Sequence, residues 1–404
     1  MLVSLPDFTM NTQDFRTKTL IIERANISAP GMWGVAVDIG YSGVKLFSPN
    51  TIACFPAFAI PVKGEMLGIT TANTKHTILF RRDENSQVWL VGKAAQDAIS
   101  RDDPDTSSMS IFGRQRYNSD MFRVLSDTAL GIACTKNAYG DPAGKPIVLE
   151  SGLPNAYLKV DSPSLREVFE GFHAFDLKVG EKDWQHYEIT LVHGNVAIMP
   201  QPMGTLLSVA TGDDGKLRSE ANKYYSSATL ICDPGFGTFD CFSLRGSSMD
   251  RMETFDSLGM KQVLMDTSKK IFEKYPGTDV PVPAMQAYLE KGTIPVFNRK
   301  LRTSANMPFG DILEECSKAV AMRAIEKIDE LYDLVDYDYM ILTGGTGEAW
   351  YGYFKDAYKG MSNLTLIPGN QNTMGILQDE NGHPAPLPFI FSNVRGYYMY
   401  LNNK

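Results

Sequence analysis

The chain has 404 residues, which is more than one compact core usually holds, so two or three domains are expected. Its composition, 43% hydrophobic and 21% charged residues, is that of an ordinary globular protein and excludes a disordered or fibrous chain. The formal net charge of -8 argues against a protein that coats nucleic acid directly, because neutralising phosphates requires clustered Lys and Arg.

The sequence also limits the compartment and the metal chemistry. It has no apolar run of the length that a membrane span requires, and its first residues lack the basic and apolar regions of a signal peptide. The five cysteines are scattered and form no Cys-x-x-Cys pair, so neither a disulfide framework nor a zinc site is expected. We therefore expect a cytoplasmic protein.

Residues 1–30 are polar and mostly aperiodic and are interpreted as an N-terminal extension, either loosely ordered or adding a strand or a subunit contact. After them, short β-branched runs alternate with helical patterns, which predicts an α/β fold with mixed sheets flanked by helices. The predicted strands are 35–37, 44–47, 87–91, 146–149, 188–192, 228–232, 240–244 and 339–343. The predicted helices are about 115–136, 163–171, 202–211, 258–274, 281–291 and 309–334.

Two segments of the chain share one pattern. GVAVDIGYSGVKLF at 34–47 and TLICDPGFGTFDCFSL at 229–244 both consist of an apolar strand, Asp-x-Gly, a short turn and a second strand. A duplicated domain of the βββα type is the simplest explanation.

The first of these turns has the chemistry of a phosphate-binding loop. Its candidate residues are Asp38, Gly40, Tyr41, Ser42, Gly43 and Lys45. The glycines are expected to adopt positive φ, which would let backbone N–H groups approach a phosphate. The lysine supplies a cation, and a carboxylate at a strand end suits hydrated Mg²⁺. Alone, the hairpin could equally be an ordinary glycine-rich turn.

The second turn repeats the arrangement and adds a hydroxyl. Its candidate residues are Asp233, Gly235, Gly237, Thr238 and Asp240. Two such hairpins facing each other would hold a triphosphate and its metal from both sides, so the pair favours a nucleotide site over two unrelated turns.

Three further segments carry weaker signals. Gln201, in Met199-Pro200-Gln201-Pro202, is suited to orient a water for attack on a phosphate, although a Pro-stiffened turn with a solvated Gln is the plainer interpretation. The Gly-rich turn with Gly344, Gly345, Thr346 and Glu348 could contact a purine and ribose or serve only as a strand-to-helix turn. Gly259 and Lys261 begin a helix and could face the nucleoside or only start that helix.

In chain order, DIGYSGVK, MPQP, DPGFGTFD, SLGMK and LTGGTGE resemble the phosphate 1, connect 1, phosphate 2 and adenosine motifs of the actin superfamily. VWLVGKAAQDA, LESGLPN, AIMPQP and FSNVRGYYMYL are similar to segments of the plasmid-segregation actins of the ParM and StbA type. The resemblance extends over about residues 34–401.

This resemblance implies an actin-like fold with two RNase H-like domains and a nucleotide cleft between them. Domain I would comprise 31–199 and be completed by 376–404, and domain II would comprise 200–375. The implied function is a Mg²⁺-dependent ATPase of the bacterial cytoplasm that forms filaments and segregates plasmid DNA. The implied partners are further copies of the chain, head to tail, and a ParR-like adaptor on centromere-like DNA. ATP is the implied nucleotide, and GTP remains open.

By resemblance, the residues of the chemistry are Asp38, Asp233 and Gln201. The two carboxylates would organise Mg²⁺ through water, and Lys45 would bind phosphate. Gln201 stands where ParM has Glu, a departure that leaves the identity of the water-positioning group open. Phe236 also departs, because a small residue is usual at its position.

Three other classes of protein would have the same kind of nucleotide-binding site. A small-molecule kinase would need a substrate-side Asp base, for which no convincing loop is found. A DnaK-type chaperone ATPase would normally carry a following peptide-binding domain. A scaffold protein would bind ATP and assemble with little turnover.

Overall fold

The computed structural model describes residues 12–62, 77–99, 114–298, 302–379 and 381–403. The first eleven residues of the predicted N-terminal extension lie outside the described residues. The strands are β1 Leu20–Glu23, β2 Trp33–Ile39, β3 Gly43–Ser48, β4 Thr51–Pro56, β5 Ala59–Pro61, β6 Ile78–Arg81, β7 Trp89–Val91, β8 Ile147–Leu153, β9 Gly171–Val179, β10 Gln185–Leu191, β11 Val196–Pro200, β12 Thr229–Pro234, β13 Phe239–Arg245, β14 Ser248–Phe255, β15 Thr293–Asn298, β16 Thr303–Pro308, β17 Tyr339–Leu342, β18 Thr365–Pro368, β19 Leu377–Gln378 and β20 Pro384–Ala385. The α-helices are α1 Lys93–Asp97, α2 Asp120–Ala133, α3 Leu158–Phe169, α4 Gln201–Ala210, α5 Ala221–Ser226, α6 Met260–Lys274, α7 Val282–Tyr288, α8 Gly310–Leu331, α9 Gly345–Tyr358 and α10 Ser392–Asn402.

Three larger sheets organise these elements. The first has the order β1-β4-β3-β2-β8-β11, the second β10-β9-β6-β7-β5, and the third β14-β13-β12-β17-β18. In the first and third sheets, three antiparallel strands are followed by two parallel ones at equivalent positions. The duplication predicted from the two hairpins is therefore confirmed by the strand order.

Two lobes are built on these sheets. The first lobe has a hydrophobic core that joins the first and second sheets to α2. The second lobe has its core between the third sheet and helices α6 to α9. Strands β2, β3, β4 and β12 are buried along their whole length, which is why they read as almost continuous apolar runs. The fold is α/β, with mixed sheets flanked by helices, as predicted.

Two helices connect the lobes. Helix α4 follows β11 of the first sheet, yet its Leu206 and Val209 pack on the third sheet. Helix α10 follows the elements of the second lobe, yet its Val394 and Tyr398 pack on the first sheet. The predicted domain division at residue 199/200 remains a prediction, because the helix that starts there contacts strands of both sheets.

The described part of the N-terminal extension crosses from the second lobe to the first. The Thr12 hydroxyl donates to the Leu289 carbonyl oxygen (2.8 Å), and Phe15 packs against the second core. Strand β1 then pairs antiparallel with β4 at the edge of the first sheet. Of the alternatives left open by the sequence, the added strand is the one observed.

Candidate nucleotide site

The two predicted phosphate loops have the same backbone geometry. The Gly40 N–H donates to the Gly43 carbonyl oxygen (3.0 Å), and the Gly235 N–H donates to the Thr238 carbonyl oxygen (2.8 Å). Each bond closes a hairpin whose first strand ends near a buried aspartate.

The expected reason for the glycines in these loops is wrong. None of Gly40, Gly43, Gly235 and Gly237 has a positive φ. Space explains three of them instead. A Cβ would lie 2.9 Å from Lys45 Nζ at Gly40, 2.8 Å from Thr17 Cγ2 at Gly43 and only 2.3 Å from the Tyr41 ring at Gly237. The loops thus meet directly, with the Tyr41 ring of the first against the backbone of the second.

Asp38, at the end of β2, is bound from two directions. Lys45 Nζ lies 2.9 Å from its Oδ2, and Gln201 Nε2 donates to its Oδ1 at 3.1 Å. The lysine reaches it because Asp38 and Lys45 are cross-strand partners in the hairpin. Gln201 reaches it because α4 begins at that residue, directly after β11. Asp38, Lys45 and Gln201, which are all candidates from the sequence, therefore form one hydrogen-bonded group.

Asp233, at the end of β12, faces a different helix. Asn393 Nδ2 on α10 donates to its Oδ2 at 2.7 Å, and the Thr205 hydroxyl donates to Asn393 Oδ1 at 2.6 Å. Burial raises the pKa of Asp233 to about 6; the Asn393 hydrogen bond opposes this shift, whereas the charge of Asp38 adds to it. The two aspartates are therefore close enough to repel each other.

Asp240 lies on the neighbouring strand and is also buried. It accepts hydrogen bonds from the hydroxyls of Thr238 (2.9 Å) and Thr254 (2.5 Å). Burial nevertheless raises its pKa to about 7. An acidic cluster of this kind has an unfavourable charge that a bound cation would relieve.

The predicted adenosine segment packs on the second loop. Gly344 has φ 77°, and a Cβ there would lie 2.4 Å from Asp233 Oδ1, so glycine is required for both conformation and space. The Thr346 hydroxyl donates to the Gly235 carbonyl oxygen at 2.7 Å. Glu348 Oε2 accepts from the Phe389 N–H at 3.0 Å, and burial raises the pKa of this carboxyl group.

Gly259 and Lys261 support the second loop from behind. A Cβ at Gly259 would lie 2.6 Å from the Phe236 carbonyl oxygen, and the Lys261 N–H donates to the same oxygen at 2.8 Å. Phe236 packs its ring against the second core. The start of α6 therefore fixes the loop by backbone contacts.

One cavity of about 1390 Å³ joins these parts. Its volume exceeds the roughly 300–1,000 Å³ of most small-molecule sites. The sequence-predicted residues on its wall are Asp38, Gly40, Tyr41, Ser42, Lys45, Gln201, Asp233, Gly235, Gly237, Thr238, Asp240, Gly344, Gly345, Thr346 and Glu348. Gly43, Gly259 and Lys261 are not among the lining residues.

Sequence reasoning missed three contributors to this wall. Asn393 belongs to FSNVRG, a segment noticed for its resemblance, but nothing in its local sequence indicates that it reaches Asp233. Arg116 and residues 14–20 of the extension also line the cavity. An alignment of related chains could have found them, whereas spacing along one sequence could not.

The acidic residues fit a magnesium ion. Mg²⁺ is usually bound by one or two carboxylates together with waters and phosphate oxygens, and Asp38 and Asp233 present two mutually repelling carboxylates to one cavity. Lys45 already compensates part of that charge. The arrangement favours a hydrated ion shared with a phosphate chain over a site built from protein ligands alone.

Two equivalent hairpins facing each other across a cleft, with a glycine-rich turn beside them, are the arrangement expected of an actin-like fold. Residues 36–204 match the family described as the N-terminal domain of actin-like proteins. The resemblance found in the motifs is thus confirmed at the level of the fold. No curated protein matches the chain.

Solved structures with the same fold cover almost the whole chain. A non-polymerisable quadruple mutant of pCBH ParM is 19% identical, with a TM-score of 0.67, over 92% of this chain and 100% of that one. A 15-stranded ParM filament from Clostridium botulinum is also 19% identical, with a TM-score of 0.67, over 93% and 100%. An archaeal actin homologue in complex with ADP is 19% identical, with a TM-score of 0.56, over 92% and 100%.

Among the helices that the structure describes, none combines the length and the hydropathy needed to cross a membrane.

Proposed function

We propose that this protein is a Mg²⁺-dependent ATPase that assembles head to tail into filaments and segregates plasmid DNA through a ParR-like adaptor. The observation that carries the proposal is the pair of equivalent phosphate loops, each ending near a buried aspartate, on the wall of one large cavity. The proposal includes the two-domain division inferred from the sequence and the location in the bacterial cytoplasm.

Each residue of the proposed site has its own role in ATP hydrolysis. Lys45 lies beside Asp38 and offers its ammonium to a phosphate that enters the cleft. Asn393 fixes the Asp233 carboxylate, and Gln201 is held by Asp38 where it can orient an attacking water. Bound Mg²⁺ would neutralise charge on the phosphate chain. Turnover then requires both lobes to be in place, because the two carboxylates belong to different sheets.

Filament formation is supported by two of the solved structures that share this fold. One of the similar structures is a ParM filament, and another is a ParM mutant described as non-polymerisable. Head-to-tail contacts that do not close into a ring produce open filaments. ATP is proposed as the nucleotide, with GTP as the alternative, and the structure of an archaeal homologue with ADP supports the adenine choice.

The test is high-speed sedimentation of the purified protein with Mg²⁺ and ATP, GTP, ADP or no nucleotide, with released phosphate assayed in the same tubes. We expect pelleting that depends on ATP, followed by phosphate release. A protein that pellets with ATP but releases little phosphate would instead be a scaffold. A protein that stays soluble and transfers phosphate to a small molecule would be a kinase.

Gln201→Ala separates assembly from chemistry. Removal of the Gln201 side chain should slow phosphate release by roughly 10²-fold, which is the effect typical of one general acid–base or positioning group. ATP-dependent pelleting should persist. Asp233→Asn should reduce both, because it removes a carboxylate of the Mg²⁺ site. Circular dichroism checks that both variants are folded, and unchanged turnover in Gln201→Ala would remove this residue from the mechanism.

A further inference from the structure

Arg116 is a buried cation on the wall of the nucleotide cavity. It lies in a 3₁₀ turn, Arg114–Asn118, just before α2, and only 7% of its surface is exposed. It lines the cavity together with both phosphate loops. Arginine is seldom buried without a charged partner, because removing a guanidinium from water is costly.

Among the described residues, no carboxylate forms an ion pair with Arg116. Its Nη2 lies 3.4 Å from the Tyr117 hydroxyl, a long hydrogen bond, and its Nη1 has no hydrogen-bond partner in the described part of the chain. Buried donors are almost always paired in folded proteins. The guanidinium therefore retains donors that a ligand could satisfy.

Aromatic rings hold the guanidinium in place. It lies 4.7 Å from the ring centroid of Tyr41, 5.1 Å from that of Tyr117 and 5.4 Å from that of Phe122. Such cation–π contacts attract the charge without using its N–H donors. Tyr41 belongs to the first phosphate loop and also touches Gly237 of the second. Arg116 is thus fixed beside the place where the two loops meet.

The charges around the cavity indicate what Arg116 would bind. Lys45 is already paired with Asp38 at 2.9 Å. A triphosphate brings several negative charges, and Arg matches phosphate oxygens well because its fork of donors can bind two of them at once. The unused donors of Arg116 therefore suit phosphate oxygens in this cavity.

We propose that Arg116 contacts the phosphate chain of the bound nucleotide, as a cation that the first lobe contributes in addition to Lys45. This inference rests on the proposed nucleotide site. It also gives Tyr41 a role, since the ring that orients Arg116 lies against the opposite loop and couples the position of the guanidinium to closure of the loops.

The test compares Arg116→Met, Arg116→Lys and the control Arg123→Met, an exposed arginine on the following helix. Isothermal titration calorimetry measures the affinity of each for Mg²⁺ with a non-hydrolysable ATP analogue and with ADP, below the concentration at which light scattering detects assembly. Methionine keeps much of the length and the packing among the rings but removes the charge and the donors.

We expect Arg116→Met to bind the ATP analogue about tenfold to a hundredfold more weakly, the range of one charge-assisted hydrogen-bonding group. Arg116→Lys should fall between Met and the native protein, and Arg123→Met should bind like the native protein. A larger loss for the ATP analogue than for ADP assigns the contact to the terminal phosphate, and an equal loss assigns it to the phosphates that both nucleotides share.

Equal affinity of Arg116→Met and the native protein for both nucleotides would overturn the inference and leave Arg116 as a packing residue. Failure of the native protein to bind either nucleotide would instead defeat the proposed function. If thermal melting shows that Arg116→Met does not fold, Arg116→Gln replaces it, because it is polar but uncharged, and the same two outcomes apply.

Discussion

At the scale of single residues, His173 is a partly buried histidine in which both ring nitrogens face acceptors. Its Nδ1 lies 2.7 Å from Asp127 Oδ1 and its Nε2 2.9 Å from the Phe169 carbonyl oxygen. Only the protonated ring donates to both. Burial lowers the pKa of His173, but the hydrogen bond and charge of Asp127 outweigh it, so the pKa lies above its usual value.

A raised histidine pKa stabilises the fold below the unfolded-state value of about 6.5 and stops doing so as the pH rises through the folded-state value. We therefore expect the contribution of His173 to the free energy of unfolding to be lost as the pH is raised above about 6.5. The change should be smaller in His173→Gln. Urea unfolding at several pH values measures it.

The control for this experiment is His193→Gln, because the side chain of His193 is 94% exposed. It should keep the pH dependence of the native protein. If His173→Gln also keeps it, His173 does not carry the pH dependence.

Single residues also show how far the sequence could be followed. Asp38, Lys45 and Asp233 were predictable, because each belongs to a short pattern in which strand, turn and charge occur together. Asn393 was not, because it reaches Asp233 from 160 residues away along the chain. Its partner depends on the packing of a whole helix, which no local pattern encodes.

At the scale of elements, α4 and α10 cross at two glycines. A Cβ at Gly396 would lie 1.7 Å from the Gly204 carbonyl oxygen, and a Cβ at Gly204 would lie 2.6 Å from the Asn393 carbonyl oxygen. The backbones are thus in direct contact. Since α4 carries Gln201 and α10 carries Asn393, this crossing sets the spacing of the two groups that hold the aspartates.

Gly396→Ala should lower the free energy of unfolding by about 3 kcal/mol, at the upper end of overpacking effects, because backbone atoms cannot move aside as a flexible side chain can. It should also weaken nucleotide binding by separating the helices. Chemical denaturation measures the first effect and calorimetry the second.

Gly352→Ala is the matched control, because Gly352 lies within α9 and has nothing within 4 Å of an added Cβ. Its stability should rise by roughly 0.5–1 kcal/mol through helix propensity alone. Equal stability of the two variants would mean that the helices can separate without cost.

The elements themselves were unevenly predictable. The paired hairpins and the long helices stand out because buried strands are apolar throughout and amphipathic helices repeat their pattern. Helix α10 was missed, since SNVRGYYMYLN contains a glycine and three tyrosines, which are poor helix formers. Its packing between the first sheet and α4 overrides that local preference.

At the scale of the whole molecule, the lobes touch through Glu290. Its carboxylate lies 2.9 Å from Arg16 of the N-terminal extension and 2.6 Å from Lys93 at the start of α1. Glu290 follows α7 of the second lobe, whereas α1 belongs to the first. The three side chains form an ion cluster between the lobes.

If the proposed nucleotide site is correct, Glu290→Gln should speed nucleotide release, because the cleft opens more easily without these ion pairs. The expected gain is about twofold to tenfold, since partly exposed pairs contribute only about 0.2–1 kcal/mol each. Stopped-flow release of a fluorescent nucleotide analogue measures it.

Asp141→Asn, which breaks the exposed Lys136–Asp141 pair within the first lobe, should leave the release rate unchanged. A release rate that changes in this control but not in Glu290→Gln would show that the ion cluster does not hold the cleft closed.

The course of the extension could not be predicted, because a polar, aperiodic segment gives no sign of the surfaces on which it lies.

The extension has a further consequence through its contour length. Phe15 is anchored in the second core, and Leu20 begins the strand that pairs with β4. A fully extended chain covers at most about 3.6 Å per residue, so these anchor points can move no more than roughly 18 Å apart. The segment therefore limits how far the cleft can open. Opening beyond that span would separate β1 from β4 or pull Phe15 out of the core.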